Sequence, residues 1–289
     1  VRKAAHDRDA ALAGGLDGAG TKILSASIKV SGVRKLFRDR GPGIDVLAID
    51  GVSLSVGQGE LLCLLGPSGC GKSTLLNMIA GFEFPTGGTV AVNGELVAAP
   101  GADRGMVFQQ PTLMPWLPVW DNVAFSLKLK NVPKKQRRIE AQRYINIVGL
   151  TGFENYFPSQ LSGGMAQRVG IARVLLLNPA VILMDEPFSS LDAQTKLEMQ
   201  EELVAIWQRF ATTIMFVTHS VEEALILGTT IAVMTHRPGR IRESIKVDIP
   251  HPRDSTSPAF NDLKRHILSL IREESRLAPA KLATPEPPP

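Results

Sequence analysis

The sequence predicts an α/β domain built on a mostly parallel sheet, and three observations point to it. Short apolar runs with strand character alternate with longer segments of helical periodicity. One apolar run, ELLCLL, passes directly into a glycine-rich loop and then into a helical segment. Another, VILMDEP, ends in two adjacent acids, Asp185 and Glu186. Acids delivered to the end of a parallel strand lie on the edge where open α/β sheets bind their ligands.

Taken in order, residues 24–65 group β-branched and aliphatic residues between turns, as in VLAI, VSLSV and ELLCLLG, and read as strands. The stretch SGCGKSTLLNMIAG turns from a glycine loop into a helix, and GTVAVNGELV adds a hairpin about Asn93-Gly94. A helical insertion occupies roughly residues 110–175, with one helix over 133–149. A second helix, GMAQRVGIARVLLL, begins just past a Ser-Gly-Gly turn and stops before Asn178-Pro179. After the strand AVILMDEP, residues 192–210 form an amphipathic helix with Leu197, Leu203, Ile206 and Trp207 expected to face inward. TTIMFVTHS is a further strand, VEEALILG opens the next helix, and residues 259–274 can form a last one. No internal repeat is visible. Residues 1–22 lack the apolar block of a signal peptide and read as a loose tail. The proline-rich stretch 276–289 reads as disordered or extended.

With 289 residues and 44% hydrophobic content, the chain can bury a substantial core. A net charge of +4 is mildly basic and does not argue for nucleic acid. The local cluster Lys134, Lys135, Arg137 and Arg138 is either a solvated helix face or a contact for acidic headgroups or a partner. Cys63, inside LLCLL, reads as a core thiol. Cys70 lies in the glycine loop, and neither has metal-ligand spacing. A reducing cytoplasm fits this usage. No run approaches 18 apolar residues, so no segment is expected to span a bilayer alone.

The strongest chemical signal is GPSGCGKST, comprising Gly66, Pro67, Ser68, Gly69, Cys70, Gly71, Lys72, Ser73 and Thr74. It fits G-x-x-x-x-G-K-[ST] between a strand and a helix. Glycines let successive backbone N–H groups turn inward around phosphate oxygens at a helix N-terminus. Lys72 can reach the β- and γ-phosphates, Ser73 can give an oxygen to Mg²⁺, and Thr74 can add a phosphate contact. Asp185 is expected to hold Mg²⁺ through water, and Glu186 to polarise an attacking water. A nucleoside triphosphate such as ATP is therefore the expected ligand. LSGGMAQRV supplies a second helix start with small residues, Ser162, Gly163 and Gly164. It is either a plain helix cap or a second anion site. In the latter case a symmetric head-to-tail dimer would face each phosphate loop with the partner's Ser-Gly-Gly.

LSGGMAQRV resembles the signature motif of the ABC ATPase family, with Met165 where glutamine is commonest and Gln167 and Arg168 retained. The resemblance extends over about residues 28–240. It implies a P-loop NTPase of ABC type within residues 23–275, with a parallel core sheet, an antiparallel β subdomain and a helical subdomain. VFQQ resembles the Q-loop, implying that Gln109 touches metal and water. SSLD resembles the D-loop, implying that Asp192 crosses a dimer seam. FVTHS resembles the switch region, implying that His219 senses the γ-phosphate. Phe37 stands where the family stacks an aromatic on adenine, although a core phenylalanine is the alternative.

One motif set, without coiled-coil or zinc insertions, resembles a separate-subunit transporter ATPase more than a cytosolic ABC ATPase serving iron–sulfur assembly or nucleic-acid processing. The stretch LMPWLPVWDNVAF resembles importers of nitrate, aliphatic sulfonates and taurine. The resemblance implies a homodimer on the cytoplasmic face of the inner membrane. Its partners would be transmembrane permease subunits and, indirectly, a periplasmic or extracellular solute-binding protein. Trp116 and Trp120, four apart, are expected to share a helical face toward the permease or the core.

Overall fold

A computed structural model describes residues 26–38 and 45–277. The expected tails, 1–22 and 276–289, lie almost wholly outside them. The chain runs β1 (Ala26–Phe37), β2 (Val46–Gly57), β3 (Leu61–Leu65), α1 (Lys72–Ala80), β4 (Gly87–Val92), β5 (Glu95–Leu96) and β6 (Arg104–Val107). A helical stretch follows: α2 (Val119–Val123), α3 (Phe125–Leu129), α4 (Lys134–Ile147) and α5 (Gly163–Leu177). The remainder is β7 (Val181–Asp185), α6 (Ala193–Phe210), β8 (Thr213–Thr218), α7 (Val221–Leu227), β9 (Thr230–Met234), β10 (Ile241–Lys246) and α8 (Pro258–Leu277).

Six strands form one sheet in the order β10-β9-β3-β8-β7-β6, parallel except for the edge pair β10–β9. Their runs are apolar on both faces because both faces are covered. On β3, Leu61, Cys63 and Leu65 pack with the helices around α5, α6 and α7. Leu62 and Leu64 pack with α1 and the second sheet. That second sheet is antiparallel, ordered β2-β1-β4-β5. Its β4–β5 hairpin turns at Asn93 (φ 51°) and Gly94 (φ 84°), the two left-handed residues that an Asn-Gly turn supplies. Cys63 is fully buried, as its apolar run predicts.

Three expectations change. VLAI and VSLSV form one strand, β2, because Gly51 takes φ 68° inside it at a register shift, and the pairing to β1 resumes on both sides. The Ser-Gly-Gly turn is the start of α5 itself, with Ser162 as N-cap and both glycines helical. Leu197 is 53% exposed. The buried residues of α6 are Met199, Gln200, Leu203 and Ile206, and at 100° per residue Leu197 lies well off their stripe.

The helical stretch joins the core through charge as well as packing. Arg168 on α5 donates to the carbonyl of Val148 (3.0 Å) and lies 2.8 Å from Glu202 on α6. Burial pushes the Glu202 carboxyl up to about 7, against the opposing pull of Arg168. A carboxyl held above its unfolded value adds stability below the unfolded pKa, and that stability is lost as pH rises through 7. Wild-type protein should therefore lose about 1–3 kcal/mol from this group between pH 5 and pH 8. Glu202→Gln should flatten that slope in urea titrations at the two pH values. An unchanged slope would remove Glu202 as its source.

Candidate nucleotide site

The site is built where β3 ends. Leu65 leads into the loop 66–71, and α1 begins at Lys72 with Gly71 in the left-handed region (φ 102°). A Cβ on Gly71 would lie 3.0 Å from Ile49 and 3.1 Å from the carbonyl of Ala48, so β2 closes one side of the loop. The other side is closed by the turn after β9. A Cβ on Gly239 would stand 2.1 Å from the carbonyl of Cys70. The loop is thus held by backbone from two sheets.

A cleft of about 350 Å³ opens over this loop. Its walls include Phe37, Ser68, Gly69, Gly71, Lys72, Ser73, Thr74 and Glu186, together with Val46, Ala48 and Arg237. Phe37 is 41% exposed on this wall, which rules out the core alternative. Cys70 is 1% exposed and packs in the core beneath, so only its main chain is available to a ligand. Gly66 and Pro67 contribute differently: their carbonyls accept from the Lys72 Nζ at 2.8 and 3.0 Å.

Behind the loop, β7 delivers its acids. Ser73 Oγ donates to Asp185 Oδ1 at 3.0 Å. Burial raises the Asp185 carboxyl, and Glu186 adds to the rise, while Ser73 and Lys72 oppose it. Glu186 follows with φ 44°, a left-handed conformation unusual for a non-glycine residue. Three hydrogen bonds hold it there: its N–H donates to Val217 (3.0 Å), and its carbonyl accepts from the N–H (3.2 Å) and Oγ (2.9 Å) of Ser189. Its side chain then lies 4.0 Å from Lys72 Nζ and 2.9 Å from His219 Nδ1. His219 sits between β8 and α7, just before the N-cap Ser220, which accepts from the Glu223 N–H. The result is a line from Lys72 through Glu186, which border the cleft, to His219 behind Glu186; neither His219 nor Asp185 lines the cleft itself.

The remaining predicted residues stand apart from this cleft. Gln109 is exposed after β6 and does not line it. Ser162 caps α5 by accepting from the Met165 N–H at 3.3 Å, and Asp192 caps α6 by accepting from the Thr195 N–H at 3.0 Å. Within a single chain Ser162 is thus an N-cap. Neither Ser162, Gly163, Gly164 nor Asp192 borders the cleft. They adjoin each other, since a Cβ on Gly163 or Gly164 would approach Leu191 or Thr195. Gln167, 2% exposed, ties this helix to the segment of Gln109 by donating to the Phe108 carbonyl at 3.2 Å.

Sequence reasoning missed Arg237. It lies far along the chain and reaches the loop only because β9 pairs with β3, and its guanidinium comes within 3.5 Å of a Cβ built on Gly69. The visible signal is a cation in the turn RPGR after an apolar strand.

Comparison with known proteins agrees with this geometry. The family described as ABC transporter matches residues 49–189. The nitrate import ATP-binding protein NrtD of Synechocystis is 46% identical over 78% of this chain and 89% of its own length. The taurine import ATP-binding protein TauB of Rhizobium johnstonii is 45% identical over 82% and 94%. A solved structure, described as the dimeric post-hydrolysis state of the ATP-binding cassette MJ0796 bound to ADP and Pi, aligns at TM-score 0.67 and 32% identity. It covers 77% of this chain and 100% of that one. The chain belongs to the ATP-binding proteins of the ABC transporter family, and it is an ATPase of that class.

Proposed function

We propose that this chain is the ATP-hydrolysing subunit of an importer for small anionic or zwitterionic solutes such as nitrate, sulfonates or taurine. It would work as a homodimer with separate permease subunits and a solute-binding protein. The reading places it at the cytoplasmic face of the membrane. No helix among the described residues is long and apolar enough to cross a bilayer, and in this reading the permease subunits supply the path for solute. The observation that carries the proposal is the separation of the two helix starts proposed to bind anions. One, at Lys72, lines the cleft, and the other, at Ser162, caps α5 away from it. A second copy turned head to tail would bring its Ser162, Gly163, Gly164 and Asp192 over the first copy's cleft.

In that arrangement the loop N–H groups and Lys72 hold the phosphates of ATP, and Phe37 stacks on the base. Glu186 orients water toward the γ-phosphorus, and His219 orients Glu186 and meets the γ-phosphate. Ser73 and Asp185 offer hard oxygen donors suited to Mg²⁺, which takes one or two carboxylates and completes its shell with phosphate and water. When bound, Mg²⁺ would neutralise charge on the phosphates. Gln109 would join metal and water only once its segment moves over the cleft.

Trp116 is the proposed permease anchor. The shared helical face is not formed, because Trp116 lies in a turn before α2 while Trp120 lies within it. Trp120 packs partly against the core, and Trp116 is 72% exposed. A large exposed aromatic close behind Gln109 suits a binding hot spot. Trp116→Ala should leave the melting temperature of the free subunit within about 2 °C. It should cut co-purification with the permease at least about tenfold, as hot-spot truncations do. Intact assembly would remove Trp116 as the anchor. ATPase activity that no membrane partner stimulates would favour a cytosolic, non-transport role.

A further inference from the structure

Between Lys128 and Arg143 the sequence has seven basic residues and one acid, Glu140. Among the described residues none of the seven forms an ion pair. Three of them, Lys134, Lys135 and Arg137, occupy the first turn of α4, which has no acidic residue and no side-chain cap. Cations there face the positive end of the helix dipole, so the helix itself gains nothing from them. The Nε of Arg137 is buried without a hydrogen-bond acceptor.

Outside its buried residues Ala141 and Ile145, α4 carries Arg138, Ile139, Gln142, Arg143 and Asn146. With Trp120 these line an open groove. Arg138 stacks over the Trp120 ring at 5.2 Å. Lys135 falls on the same face by helical spacing. Two aliphatic side chains among the cations are largely exposed, Ile139 at 63% and Leu129 at 69%.

We propose that the outward face of α4, with Lys128–Lys130 before it, docks on an anionic phospholipid bilayer. The charge is complementary to phosphate headgroups, each Lys or Arg adding attraction near such a surface. The exposed Ile139 and Leu129 separate a bilayer from a soluble polyanion. An aliphatic side chain gains at the boundary between headgroup and acyl chain, and gains nothing on a sugar-phosphate strand. Tryptophan is also enriched at membrane–water interfaces, and Trp120 lines the groove. None of these residues lines the nucleotide cleft, and Trp116 does not line this groove, so the test needs no permease.

The test uses the full chain and flotation with vesicles of phosphatidylcholine alone or with 30% phosphatidylglycerol, a composition chosen at about one anionic lipid in three. Binding should require the anionic lipid and weaken steeply with salt. Each of Lys135→Gln, Arg138→Gln and Arg143→Gln should weaken it about fivefold, and the triple variant about 100-fold. Ile139→Ser should weaken vesicle binding while leaving heparin binding unchanged. Melting temperature and basal ATPase rate, both expected to match wild type, report that the variants fold; should the triple variant fail there, the single variants and the salt slope carry the test. Equal binding to both vesicle types, or to neither, overturns the proposal. So does undiminished binding by the charge variants. Heparin binding as strong as vesicle binding, with Ile139→Ser without effect on either, assigns the face to soluble polyanions instead.

Discussion

Glu186→Gln should bind ATP with near wild-type affinity and turn over at least about 10²–10³-fold more slowly, the range expected when a positioned general base is removed. The geometry explains the separation of binding from rate. Glu186 lines the cleft beside the phosphate loop, but its carboxylate is directed by His219 at 2.9 Å and by Lys72 at 4.0 Å. Glutamine keeps the shape and one carbonyl acceptor, so the left-handed backbone at φ 44° and its bonds to Val217 and Ser189 are retained. What it loses is the charge that turns a water toward phosphorus. The slowed enzyme should accumulate as an ATP-bound dimer, visible by light scattering at about twice the monomer mass, as expected for a two-fold assembly. Wild-type turnover in this variant would require another base. A slow enzyme that stays monomeric with ATP would instead count against the head-to-tail arrangement.

How far the sequence discloses this site depends on how local each part is. The phosphate loop is legible because its whole mechanism lies in nine consecutive residues, and the strand and helix on either side form as their patterns require. Asp185 and Glu186 are legible because an apolar strand reads out its own end. Arg237, Val46 and Ala48 reach the same cleft through the pairing of β9 with β3 and the approach of β2, and no local pattern encodes either. The same limit hides the antiparallel edge strand β10, whose burial alternates while its hydrophobicity does not, because Glu243 takes the half-buried position between Ile241 and Ile245. Leu197 shows a different failure. Hydrophobicity alone suggested an inward residue, whereas its angle on α6 places it outside, beside polar neighbours. The tryptophans show a third. Spacing of four implies a shared face only within one helix, and prolines at 115 and 118 keep Trp116 out of α2.

Lys72→Ala should differ from the glutamate variant by weakening ATP binding itself. Lys72 is 5% exposed, and its ammonium is already positioned by the carbonyls of Gly66 and Pro67. It therefore meets charge that the phosphates carry before any reaction, and its loss acts on the ground state as well as on turnover. Hydrogen bonds to charged groups contribute about 1.5–3 kcal/mol, which corresponds to an affinity loss of about 10–100-fold. Thermal unfolding reads this directly. At ATP equal to 100 times the wild-type Kd, ligand binding stabilises the wild type by about 2.7 kcal/mol. A variant with 100-fold weaker binding keeps only about 0.4 kcal/mol at that concentration, so its ATP-dependent rise in melting temperature should nearly vanish. The variant also leaves Glu186 with His219 as its one remaining cationic or hydrogen-bonding neighbour in the line, so hydrolysis should fall further than saturating ATP can restore. An undiminished thermal shift with ATP would mean that the loop N–H groups hold the phosphates without the lysine. Full recovery of turnover at high ATP would confine Lys72 to binding.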